Sequence, residues 1–229
     1  MDAWILRTTE YKESSKLIVA MGDEGVFSFV AKGMRNYKSP WRSLIEPFRH
    51  LELKLSSGTL PALQEARLLT PIDSAAASLE VMSYMGHLAE LFYTLRDTIA
   101  FDKLYPYWLQ TLPYMSVDPE GYGIMMEIKL LYVMGITPVF DRCVACESKE
   151  RVGFSIADGG MLCQQHMTPE AITDHDLLIG IYQLYQQDLS TPLPNFERAR
   201  TRRFVDQYFE YHVNVQTTAR QMIRGVYNY

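Results

Sequence analysis

Cysteine is scarce in this chain, three in 229 residues, and an odd number of thiols cannot all be paired into a disulfide framework. The opening MDAWILRTTEYKES has neither the basic n-region nor the apolar h-region of a secretory signal, so a reducing cytoplasm is the expected compartment. No stretch approaches the ~18 uninterrupted apolar residues of a membrane span. The phosphate loop G-x-x-x-x-G-K-[ST] is absent, which argues against ATP-driven work, and so is the metalloprotease pattern H-E-x-x-H. Zinc deaminases need His-x-Glu ahead of Pro-Cys-x-x-Cys. Here Arg142 precedes Cys143, and His87-Leu88-Ala89-Glu90 has the wrong spacing. The scattered acids Glu120, Glu127 and Asp141 read as surface charges. The chain is expected not to be an enzyme.

All three cysteines fall in one frame: Cys143-x-x-Cys146, then Cys163-x-x-His166 after sixteen intervening residues. Two such pairs can close a tetrahedron of soft ligands around Zn²⁺. Four protein ligands leave no open position, so the expected ion is structural rather than catalytic. His50, His87 and His212 have no partner at this spacing, and His175 is an alternative fourth ligand to His166.

The net charge of −5 argues against a nucleic-acid protein, but its distribution does not. Residues 1–80 carry ten basic and ten acidic side chains, residues 81–196 six against fourteen, and residues 197–229 six against three. Residues 26–45 contain Lys32, Arg35, Lys38 and Arg42 and no acid. Phosphate binding follows the local potential, and Tyr37 and Trp41 offer rings for stacking beside these cations. A solvated loop between strands is the alternative reading.

The first eighty residues pattern as β. Runs at 2–9, 16–21, 26–31, 48–56 and 61–69 are separated by turn residues, with clean alternation at Leu51, Leu53 and Leu55. Five short strands with a long basic connection between the third and fourth suit an OB-fold barrel. From Pro71-Ile72-Asp73-Ser74 the period becomes helical. Leu79, Met82, Leu88, Leu91, Phe92 and Leu95 make one stripe. Ile124, Ile128 and Leu131 make another, which stops at Gly135-Ile136-Thr137-Pro138. Residues 170–187 and 197–224 also read as helical. The expected fold is α+β: a five-stranded OB-fold barrel over 1–78, then an α-helical domain over 79–229 with an inserted zinc finger at about 141–168.

The runs W-I-L-R-T-T-E-Y-K-E-S-S-K-L, F-V-A-K-G-M-R, I-E-P-F-R-H-L-E-L-K-L and L-P-A-L-Q-E-A-R-L together resemble the bacterial RecO family of DNA recombination and repair proteins. Further along, M-G-I-T-P-V-F-D-R-C-V-A-C and F-S-I-A-D-G-G-M-L-C-Q-Q-H are similar to that family's zinc-finger segment. The resemblance implies binding of single- and double-stranded DNA and ATP-independent strand annealing in recombinational repair, in the cytoplasm at the nucleoid. It implies work with RecR, RecF and the C-terminal tail of the single-strand-binding protein SSB, and loading of RecA onto SSB-coated DNA. It places Lys32, Arg35, Lys38 and Arg42 in the DNA-contact segment after A-K-G, adds Arg7 and Lys16 on the first strands, and puts Cys143, Cys146, Cys163 and His166 at the finger positions. Arg198, Arg200, Arg202 and Arg203 are a candidate cationic rim for the SSB-tail groove, against a solvated helix face. The rival from another class is a zinc-containing protein-interaction adaptor with no direct nucleic-acid binding.

Overall fold

A computed structural model describes residues 1–34, 36–70, 78–215, 217, 218, 220 and 223. The chain divides into two compact units, Met1–Leu109 and Gln110–Tyr229.

In the first unit five strands form one antiparallel sheet: β1 (Asp2–Tyr11), β2 (Ser15–Gly22), β3 (Gly25–Ala31), β4 (His50–Leu55) and β5 (Leu63–Thr70). Their spatial order is β3-β2-β1-β4-β5. The β2–β3 hairpin turns through Asp23-Glu24 between paired Gly22 and Gly25, and Gly25 adopts φ 124°, a conformation glycine takes without Cβ strain. Register irregularities between Ile5 and Arg7, His50 and Leu51, and Lys54 and Leu55 bend the strands, as bulges do. The two ends of the sheet meet: the Val30 N–H donates to the Pro61 carbonyl at 2.8 Å, and Val30 bridges Ala62.

Period-2 alternation buries β1 on both sides. Ala3 and Ile5 join Ile18, Ala20, Phe29, Leu51 and Leu53 in the interior cluster. Trp4 faces the other way, fully buried, with its indole N–H on the Phe48 carbonyl at 3.0 Å and its ring edge-on to Trp108 at 4.6 Å. Phe92 completes this aromatic group. It belongs to α1 (Leu79–Thr94), and Trp108 belongs to α2 (Phe101–Thr111). Ser78 caps α1 by accepting the Val81 N–H, whereas the start expected at 71–74 lies outside the described residues. α2 is a helix that the sequence pattern above does not include. Phe101, Leu104, Tyr105 and Trp108 recur at helical spacing and are buried, but Pro106 stands among them and breaks the pattern on paper.

The second unit is built on α3 (Pro119–Val133), capped by the Asp118 carboxylate accepting the Gly121 N–H at 2.9 Å. α3 ends as expected: Gly135 at φ 76° lets the Ile136 N–H reach back to the Leu131 carbonyl. A small sheet of order β6-β8-β7 follows, from β6 (Val139–Cys143), β7 (Gly153–Ser155) and β8 (Gly160–Leu162). α4 (His175–Gln186) and α5 (Arg198–His212) pack on α3. α5 stops at His212 within the expected 197–224, since Asn214 at φ 53° turns the chain and returns its N–H to the Phe209 carbonyl. Thr218, Arg220 and Ile223 beyond the turn are again helical, and the other residues of 216–224 lie outside the described ones, save Thr217.

Two charge readings are corrected here. Glu127 and Glu120 are not surface charges: Glu127 is fully buried and Glu120 nearly so. In the arginine run on α5, Arg203 is exposed as on a solvated face, whereas Arg198, Arg200 and Arg202 are held in ion pairs and do not form a free cationic rim. Arg198 forks onto Asp118 at 3.0 and 2.7 Å, Arg200 pairs with Glu197 and Asp174, and buried Arg202 pairs with Glu127 and Asp206.

Candidate metal centre and nucleic-acid interface

The small sheet brings the cysteine frame together. The Val144 N–H donates to the Met161 carbonyl and the Val152 N–H to the Leu162 carbonyl, which ties the first knuckle to β8. Glu147, at φ 59°, reverses the chain just beyond Cys146 and returns its N–H to the Cys143 carbonyl at 2.8 Å. A one-turn helix over Gln164–His166 folds His166 back over Cys163. One donor atom from each of Cys143, Cys146, Cys163 and His166 then lies within 4.8 Å of the others. Cys143 Sγ is 3.7 Å from His166 Nδ1, Cys146 Sγ is 3.8 Å from Cys163 Sγ, and Cys163 Sγ is 3.2 Å from His166 Nδ1. A tetrahedral zinc site, with Zn–S of about 2.3 Å and Zn–N of about 2.1 Å, sets S–S edges near 3.8 Å and S–N edges near 3.6 Å. Donor chemistry and spacing both fit such an ion. His175, the alternative ligand, instead lines a separate cleft with Phe140, Asp141, Leu178 and Tyr182.

Burial pushes the Cys143 thiol up, but bonds from the backbone N–H groups of Cys163, Ala145 and Cys146 pull harder, and its pKa falls to about 6. The thiolate, the form that binds metals, is therefore favoured at neutral pH. Apolar Leu162, Val144, Met167 and Ala171 pack around the sulfurs.

The basic segment follows β3. Met34 and Ile45 are buried in the interior of the first unit and pin its two ends. Local bonds shape the chain between them: Asn36 N–H to the Gly33 carbonyl, Lys38 N–H to the Asn36 side chain, and Ile45 N–H to the Trp41 carbonyl. Lys32, Lys38 and Arg42 are exposed, and none pairs with a carboxylate among the described residues. Arg35 lies outside them. Tyr37 stands 77% exposed with the Lys38 ammonium 5.6 Å from its ring, while Trp41 packs partly against the interior cluster and leaves less of its face for stacking. Lys16 is half-buried and 3.5 Å from Glu46. Arg7 is exposed on β1, its guanidinium over the ring of Tyr93, which carries Arg96 as well. Sequence reasoning missed Tyr93 and Arg96, because only the packing of α1 on β1 brings them to Arg7.

These features define a two-unit α+β protein with a Cys₃His cluster that could hold a metal ion in its helical part and an acid-free cationic segment on a five-stranded antiparallel sheet. The family model described as Recombination protein O N terminal matches residues 1–72, and that described as Recombination protein O C terminal matches residues 76–221. The chain belongs to this family of recombination and repair proteins. Proteins named DNA repair protein RecO from Bacillus cereus, Bacillus anthracis and Bacillus thuringiensis subsp. konkukian are each 30% identical to it over 172 residues, spanning 71% of this chain and 68% of theirs. Among the described residues no helix is long and apolar enough to cross a membrane.

Proposed function

We propose that the chain binds DNA and anneals complementary strands without ATP during recombinational repair in the cytoplasm, at the nucleoid, and that it is not an enzyme. The observation that carries this reading is the exposed segment with Lys32, Lys38 and Arg42 beside Tyr37, on a sheet whose end strands meet at Val30 and Ala62. That strand order and closing bridge support an OB-fold over residues 1–78, a barrel that commonly binds oligonucleotides. Two complementary strands repel through their phosphates. Cations that hold the backbones lower this cost and leave the base edges free to pair. Arg35 falls in the same stretch of sequence and is included in the reading, and Arg7 and Lys16 extend the surface on β1 and β2.

Zn²⁺, held by Cys143, Cys146, Cys163 and His166, would fix the finger at about 141–168 within the helical domain (79–229), and carry no chemistry. Membership of the family supports action as a mediator: with RecR and RecF, holding the SSB C-terminal tail, so that RecA loads on SSB-coated single strands.

The test replaces Lys32, Lys38 and Arg42 with Glu and titrates an oligo-dT strand at several salt concentrations. Affinity at low salt should fall several-fold or more and the salt slope should flatten by up to about three units. Annealing of complementary oligonucleotides should slow in parallel. Unchanged affinity would defeat the assignment of DNA to this surface.

A further inference from the structure

Two guanidinium groups converge on one tyrosine in the first unit. The Arg7 Cζ lies 3.9 Å and the Arg96 Cζ 4.6 Å from the centroid of Tyr93. Arg96 is tethered there, donating to the Tyr93 carbonyl at 2.8 Å and standing 3.9 Å from Asp97. Arg7 has no such tether. It is exposed, pairs with no carboxylate among the described residues, and is oriented by the ring beneath it. Like charges gathered at one place repel, and an anion bound between or beside them relieves that repulsion. A ring that holds a planar guanidinium also reduces the side-chain freedom lost when it captures a phosphate.

The surroundings give the site a direction. Beyond Arg96 a cleft is lined by Asp23, Glu24, Asp97 and Asp102, whose charges repel phosphate. Arg7 is not among the residues of that cleft and is exposed. Arg7 pairs in register with Val19, on the strand face that carries Trp4 and packs against α1.

We propose that Tyr93, with Arg96 against the same ring, is the positioning residue that holds Arg7 for contact with a DNA phosphate. This rests on the DNA-binding reading above. It brings α1, from the part of the sequence expected to be the separate helical domain, into the nucleic-acid surface.

The experiment titrates the full-length protein with oligo-dT across a salt series, using Arg7→Gln, Tyr93→Leu, Tyr93→Phe and the double variant Arg7→Gln/Tyr93→Leu, each checked by thermal melting. Arg7→Gln should weaken binding several-fold and reduce the salt slope by about one unit. Tyr93→Leu should weaken binding less, Tyr93→Phe should restore it, and Tyr93→Leu should add nothing once Arg7 is gone. An Arg7→Gln variant with unaltered slope overturns the contact, and equal losses from Tyr93→Leu with and without Arg7 overturn the positioning role. If the Lys32/Lys38/Arg42 variant loses binding while Arg7→Gln does not, the DNA-binding reading survives this inference. An unmodified protein that binds no oligonucleotide overturns both.

Discussion

A carboxylate removed entirely from water must find its counter-charges inside the fold, and Glu127 finds two. Arg202 and Arg220 both reach it, the latter at 2.8 Å, and both also lie in ion-pair distance of Asp206, at 2.8 and 3.2 Å. Removing one partner would leave the others buried without its counter-charge, at a cost of about 3–5 kcal/mol. In sequence Glu127 and Arg202 are 75 residues apart, and nothing local marks either as buried. Lys129 shows the opposite economy. It donates to the Tyr185 carbonyl, and burial lowers its pKa to about 8 despite the nearby Asp188. Between that value and the ordinary lysine range the unfolded chain holds a proton that the folded one has released, so stability should rise with pH across about 8 to 10.5. Denaturant melts of Lys129→Met should lack this rise, and the gap between variant and parent should change over that window; parallel curves would place the ammonium in water.

At the level of elements, the finger depends on a close approach that only glycine allows. A Cβ on Gly160 would stand 2.4 Å from Val144 Cγ1 and 2.9 Å from the Val139 carbonyl oxygen. Val139 sits on β6, which pairs with β8 at Gly160, and Val144 follows Cys143, so the crowding would push the first knuckle away from the second. Gly160→Ala should destabilise the second unit by about 1–3 kcal/mol or more through overpacking. It should also weaken metal retention, read by titrating zinc release with a chelator; unchanged release would show that the knuckles tolerate separation. The helices show how far period alone can be followed. α3 starts at a Pro after a capping Asp and stops at Gly135, as its sequence signals. α1 carries Leu79 on its apolar stripe on paper, yet that side chain is 73% exposed, while Val81 two residues on is buried. α2 lay hidden behind Pro106, whose cost is offset by Trp108 and Tyr105 packing on the sheet, with the Tyr105 hydroxyl on Asp2.

For the whole molecule, the metal cluster and the cationic segment fall in different compact units. Stripping metal with a chelator, or replacing Cys143 with Ser, should therefore lower the melting temperature while DNA affinity per folded molecule stays close to that of the parent. Calorimetry beside binding titration checks this, and a proportionate loss of affinity in the folded fraction would make the finger part of the DNA surface. Metal binding should weaken as pH falls, because protons compete for the sulfurs: hydrogen bonds lower the Cys143 thiol, while the neighbouring Cys143 and Cys163 raise that of Cys146.

By itself the sequence determined the family, the five strands, the four clustered donor residues and the acid-free stretch after β3, because each is written in short-range spacing or in local composition. Tertiary structure alone decided which charges remain free. It consumed Arg198, Arg200 and Arg202 in ion pairs, buried Glu127, turned Trp41 partly inward, and brought Tyr93 of α1 under Arg7 of β1. The reason is physical: a side chain's charge is a property of its residue, whereas its partners and its hydration depend on segments far away in the chain.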